Sequence, residues 1–108
     1  MLLRAGEVVS GHDLVAERRP GVRERDLARG PGCLTKALDI TGEDDGRAVV
    51  GRDAPFVLRA PGTPPSDEEV RTGPRVGVSG PGGDGTAYPW RYWLTGEATV
   101  SAYRPGRR

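Results

Sequence analysis

The sequence predicts an α+β fold: short helices beside a mostly antiparallel sheet. Three observations carry that expectation. Apolar residues fall in runs of only two or three, so each element is short. Two stretches show helical spacing of apolar residues, and several others read as strands set between Gly- and Pro-rich turns. Small helices mixed with antiparallel-looking strands point to the α+β class.

In chain order, residues 2–9 hold Leu2, Leu3, Val8 and Val9 around Ala5-Gly6-Glu7 and read as a strand. Residues 10–19 read as a short helix. Ser10 or Asp13 is its cap, Leu14 and Val15 form its apolar side, and Pro20 stops it. Residues 22–29 add another turn or two. Gly30-Pro31-Gly32 interrupts, and Pro31 suits the first position of a second helix, where a missing N–H costs nothing. Leu34, Ala37, Leu38 and Ile40 then give about two turns with one apolar side. An acidic turn follows at residues 43–46. Residues 48–51 and 56–59 read as strands, 60–66 as a loop with three prolines, 75–78 as a strand entered after Pro74, 79–87 as a Gly-rich loop, 88–94 as an aromatic strand, and 100–103 as a last strand. A basic tail closes the chain.

At 108 residues the chain is one domain at most. Gly (17) and Pro (10) make up a quarter of it, and only 21 residues are Leu, Ile, Val or Phe. Fifteen of the sixteen cations are Arg, Lys36 being the exception, and the net charge is +1. The composition borders on disorder, but a net charge near zero argues against a self-repelling coil. No apolar run approaches the roughly 20 residues of a membrane helix, nor is there a signal-peptide core. Cys33 is the single cysteine and His12 the single histidine, so neither an internal disulfide nor a usual structural zinc site is expected. A cytoplasmic, loop-rich protein is the expectation. Charge is uneven: residues 1–36 carry +2, 39–53 carry −3, 54–87 carry −1 and 88–108 carry +3. Basic ends permit a phosphate-binding face without demanding one.

Three motifs are weighed. Gly80-Pro81-Gly82-Gly83-Asp84-Gly85 fits G-x-G-x-x-G, but a strand follows instead of the helix that a dinucleotide site needs, so a flexible loop is the better reading. Leu27-Ala28-Arg29-Gly30-Pro31-Gly32-Cys33-Leu34 places a Gly-Pro-Gly turn before a helix. Free N–H groups there suit a DNA phosphate, while an ordinary helix start with Leu34 and Leu38 in the core explains the same pattern. Pro89-Trp90-Arg91-Tyr92-Trp93 sets aromatics beside Arg, which can stack bases, though at least one Trp is expected in the core. Cys33 reads as a small packed residue, His12 as solvated or locally hydrogen-bonded, and Asp67-Glu68-Glu69 as a solvated helix start after Ser66.

The segments Leu2-Leu3-Arg4-Ala5, Gly30-Pro31-Gly32-x-Leu34-x-x-Ala37-Leu38-x-Ile40, Pro74-Arg75-Val76-Gly77-Val78, Trp90-Arg91-Tyr92 and Val100-Ser101 occur in this order. Together they resemble the C-terminal half of the alkyladenine (3-methyladenine, methylpurine) DNA glycosylases. The resemblance implies a curved antiparallel sheet with short helices, lacking the N-terminal half of the fold. Residues 1–103 would be the C-terminal part of the glycosylase domain and 104–108 a basic tail. It implies flipping of a damaged purine out of duplex DNA and hydrolysis of its N-glycosidic bond, by a monomer using no metal and no organic cofactor. Arg4 matches an arginine that helps hold the water and the phosphate of the flipped nucleotide. Val76 matches a residue whose main-chain carbonyl touches that water. Arg29, Gly30, Pro31, Gly32 and Arg91 are the implied DNA-binding residues.

Two departures stand out. Cys33 occupies a position where many relatives carry Lys or Arg, and Arg29 one where many carry Asn. The family's general-base glutamate, intercalating tyrosine and aromatic base grip belong to the N-terminal half, and neither Glu7 nor Glu17 matches the glutamate. Met1 stands where relatives carry Val before Leu-Leu-Arg, as a GTG codon read as a start would give. The expectation is a late start or a split gene, and a polypeptide inactive by itself. The alternatives are a non-catalytic DNA-binding fragment and a pseudogene remnant.

Overall fold

The computed structural model describes residues 1–106. The chain divides into two compact units, Met1–Pro64 and Pro65–Arg108. Two short helices and one antiparallel strand pair give the α+β class that the sequence predicts, with a sheet of only two strands among the described residues.

The first unit is built on helices α1 (His12–Arg18) and α2 (Pro31–Ala37). Asp13 in the first turn and Arg18 in the last turn complement the dipole of α1. The N-cap is neither Ser10 nor Asp13. Gly11 takes that place with φ 74 and offers no side-chain cap. Val15 is buried, but Leu14 stays half exposed. The helix ends at Arg18, one residue before the Arg19-Pro20 step, as Pro20 requires. One 3-10 turn, Glu24–Asp26, forms in the segment expected to add a turn or two, and it delivers Leu27 and Ala28 to the interior.

Pro31 takes the first position of α2, as its missing N–H predicts. Ala37 is buried and Leu34 packs partly against the cluster, but Leu38 points outward and is 47% exposed. The helix stops at Leu38, its C-cap residue. Asp39 adopts φ 55, the Ile40 N–H donates to Thr35 O at 2.8 Å, and the Asp39 N–H donates to Lys36 O at 3.2 Å. These are the two crossing bonds of a Schellman stop, here with Asp where glycine is usual. The core is Val15, Leu27, Ala28 and Ala37, with Val8, Val22 and Leu34 packed against it. Arg18 fastens the two helices by donating to Ala37 O at 2.8 Å.

Three expected strands of this unit do not form. Residues 2–9 make only one antiparallel bridge, Ala5 with Arg29. Residues 48–51 and 56–59 share one main-chain bond, Leu58 N–H to Val49 O at 2.7 Å, and no ladder. Gly51, at φ 99, turns the chain out of extended geometry between them. The acidic turn does form: Gly42–Asp44 is a 3-10 turn whose Thr41 and Asp44 cap each other reciprocally.

The second unit holds β1 (Val70–Gly73) and β2 (Arg91–Leu94), paired Val70↔Leu94, Arg71↔Trp93, Thr72↔Tyr92 and Gly73↔Arg91. The strand expected at 75–78 therefore lies upstream of Pro74. Pro74 has no N–H to give a ladder, and Gly77 at φ 72 puts Val76 in a turn. The helix start expected after Ser66 is a single turn. The Glu69 carboxylate accepts from Ser66 N–H at 3.2 Å and from the Ser66 hydroxyl at 3.0 Å, and β1 follows at once. The aromatic strand shortens to 91–94, and residues 100–103 are not a strand.

The Gly-rich segment is tighter than a flexible loop. Pro81–Gly83 is a 3-10 turn, and a Cβ on Gly83 would fall on the Val78 carbonyl. Its backbone reaches positions that no side chain permits. From the expected tail, the Arg104 carbonyl accepts from Gly77 N–H at 3.0 Å, while residues 107 and 108 lie outside the described residues.

Candidate nucleic-acid interface

In the first unit the bridge organises the site. Ala5 stands opposite Arg29, and Gly6 N–H donates to Ala28 O at 3.1 Å. Antiparallel register then sets Arg4 at the level of Gly30. Arg4 and the Arg29-Gly30-Pro31-Gly32 turn, far apart in sequence, are brought side by side. Gly30 adopts φ 108 and ψ 154, a region closed to other residues, which lets the chain leave the bridge and enter α2 at once. Arg4 and Arg29 are half-buried, while Gly32 is exposed.

Arg19 positions the turn. Its Nε donates to Leu27 O at 3.2 Å, and one Nη donates to Asp26 O and to Cys33 Sγ, each at 3.2 Å. A planar fork of fixed donors suits such a task, and a lysine could not span it. The thiol of Cys33 is thus a packed, hydrogen-bonded group.

Asp26 is the centre of a basic cluster. Arg23, Arg29 and Arg25 approach its carboxylate at 3.3, 3.4 and 3.8 Å. Three cations around one anion leave an excess of positive charge, and the Arg23 side chain is 74% exposed. Glu24, the next carboxylate, faces His12 at 3.2 Å. Sequence reading singled out only Arg29 of this group. The signal it passed over was the density of Arg over residues 18–29.

In the second unit, Arg91 is 8% exposed. Its guanidinium donates to Ser101 O at 2.6 Å and lies 4.7 Å from the Trp93 ring centroid. It pins residue 101 to β2 and supports Trp93. Val76 sits half-buried in the turn before Gly77. Trp90 stays 57% exposed, so of the two tryptophans Trp93 is the more enclosed. Among the described residues no cluster of His, Cys, Asp and Glu could hold a metal ion. No helix among them is long and apolar enough to cross a membrane.

Two short helices, an antiparallel strand pair and a cluster of arginines around Asp26 describe a small α+β chain. The sequence profile of the methylpurine-DNA glycosylases matches residues 1–98, and the chain belongs to that family. A Frankia casuarinae protein named "Putative 3-methyladenine DNA glycosylase" is 49% identical over 116 residues, which cover 100% of this chain and 53% of the relative. Proteins of the same name from Leifsonia xyli subsp. xyli and Bacillus subtilis are 48% and 43% identical, over 96% and 94% of this chain and 48% of each relative. The chain therefore spans about half the length of the curated relatives it matches.

Proposed function

We propose that this chain is the C-terminal portion of a DNA-3-methyladenine glycosylase, which removes alkylated purines from duplex DNA by hydrolysing the N-glycosidic bond. The observation that carries the reading is the Ala5↔Arg29 bridge, which sets Arg4 beside the Arg29–Gly32 turn. In the roles the family resemblance gives them, Arg4 holds the phosphate of the flipped nucleotide and the Val76 carbonyl orients the attacking water. Arg29 and the Gly30-Pro31-Gly32 turn lie along the DNA backbone. Arg91 enters as a positioning residue for Ser101 and Trp93. Extrusion of the base is required because its glycosidic carbon is inaccessible in the stack. The general base that deprotonates the water lies outside these 108 residues, so the polypeptide alone does not excise bases. No metal or organic cofactor takes part, and the protein acts as a cytoplasmic monomer.

The test is release of 3-methyladenine from methylated duplex DNA. The chain alone gives no release. Co-expressed with the N-terminal half of the Frankia relative, it gives release, and Arg4→Ala in that complex slows excision at least about ten-fold, or about 1.4 kcal/mol. Release by the isolated chain, or indifference to Arg4, overturns the reading.

A second reading, DNA binding without chemistry, is favoured by the arginines around Asp26. It predicts binding by the isolated chain that falls steeply with salt, and Arg29→Ala lowers the salt slope by about one.

A further inference from the structure

The sequence motif that the proposed function leaves unused is the aromatic run before β2. Arg75 and Trp90 form a layered pair there: the guanidinium carbon lies 5.4 Å from the indole centroid. Tyr88 meets Trp90 in a T-shaped contact at 4.9 Å, with an interplanar angle of 69°. The guanidinium is itself fixed, donating through Nη2 to Gly82 O at 2.7 Å. Gly82 can offer that carbonyl because the tight Pro81–Gly83 turn holds it in place, and a Cβ on Gly82 would meet the same Nη2 at 3.1 Å. The ring is therefore held from two sides, yet it keeps 57% of its surface in solvent. Tyr92, two residues on and 68% exposed, continues the aromatic surface. Strand rise puts the two about 7 Å apart.

The Arg75–Gly82 bond fastens the turn, but fastening the turn does not require an open ring. A large aromatic ring is oriented at the cost of an arginine, and its surface is then left open. The charge beneath it has a carbonyl and the ring as partners, but among the described residues no carboxylate lies within ion-pair distance of Arg75. A ligand that suits both features has a flat π-face and a negative charge close by. A nucleotide of unpaired DNA has both.

We infer that Trp90, held by Arg75 and Tyr88, is a stacking platform for an unstacked base of single-stranded or opened DNA. The inference rests on the DNA-binding reading and adds a contact that this reading does not require. A ring already fixed in orientation loses little freedom on stacking, so the contact is strong for its size. It does not discriminate between bases, because every base presents a π-face.

The test uses the full 108-residue chain at low salt and three fluorescein-labelled probes of equal length: an oligothymidylate, the same sugar–phosphate backbone without bases, and a duplex. Oligothymidylate is expected to quench the intrinsic tryptophan fluorescence and to bind more tightly than the abasic backbone. Trp90→Ala weakens oligothymidylate binding on the order of ten-fold and leaves the abasic probe unaffected. Trp90→Phe, which keeps a ring and guards against misfolding, retains most of the affinity. Equal binding of oligothymidylate by Trp90→Ala and the parent overturns the platform. If Arg29→Ala still weakens the duplex in that case, the DNA-binding reading survives it. Failure of all three probes to bind overturns both. Binding of a polyglutamate peptide with the same dependence on Trp90 would assign the surface to acidic protein instead and overturn the inference.

Discussion

Replacing Arg19 by Ala is expected to loosen the whole Asp26–Cys33 segment. Arg19 donates to two main-chain carbonyls, Leu27 O and Asp26 O, and to the Cys33 sulfur, all at 3.2 Å. Hydrogen bonds from a charged donor contribute about 1.5–3 kcal/mol each when buried, but these are only partly buried and the sulfur is a weak acceptor. Taking about 1 kcal/mol for each carbonyl bond, plus the packing of the side-chain stem, gives a loss of about 2–3 kcal/mol. That is a large share of the stability of a small domain. Both α-helices lie in the first unit, so the urea transition followed by far-UV circular dichroism reports it, whereas Trp90 and Trp93 fluorescence reports the second. Arg19→Ala should shift the helical transition by that amount. Arg19→Lys should recover less than half of it, since one ammonium cannot reproduce the fork. An Arg19→Ala chain within about 0.5 kcal/mol of the parent would refute the reasoning, because that is the range of an ordinary surface change.

Two further substitutions probe the backbone. Asp39→Gly should stabilise the chain by about 0.5–1 kcal/mol in the same circular dichroism transition, because φ 55 is strained for Asp and free for glycine while the Schellman bonds stay in place. Gly83→Ala should cost about 2–3 kcal/mol in the tryptophan transition, since the new methyl falls on the Val78 carbonyl and no rotamer relieves a Cβ. Gly32→Ala, whose added methyl meets nothing within 4 Å, should show no such loss.

Both α-helices were legible from residue chemistry alone. Pro20 and Pro31 act through a missing N–H and a fixed φ, which are local facts and hold in any context. The strands were less legible because a strand is defined by its partner. Val76 and Val78 look more strand-like than Val70-Arg71-Thr72, yet Pro74 and Gly77 break their ladder, and β2 pairs with the more polar segment instead. In residues 48–59, Val49, Val50, Val57 and Leu58 have the right side chains, but Gly51 turns the chain and they stay exposed.

Of the candidate site, the Arg29–Gly32 turn stands out in the sequence as a continuous segment, and its proximity to Arg4 appears only once the bridge is drawn. Arg19 was not singled out in the sequence, because nothing there marks a side chain that serves carbonyls seven and eight residues ahead. Arg91 was expected to contact DNA, and nothing in sequence marks that its side chain is only 8% exposed. Its burial depends on Ser101 and Trp93 closing around it.

The smallness of the core has a calorimetric consequence. Four residues, two of them alanines, are the only buried apolar side chains among the described residues, and arginines bound to carbonyls add to the cohesion. Heat capacity rises on unfolding chiefly through newly wetted apolar surface and falls through newly wetted polar surface. A chain assembled in this way has a small increment per residue, so its free energy of unfolding varies gently with temperature and cooling weakens it little.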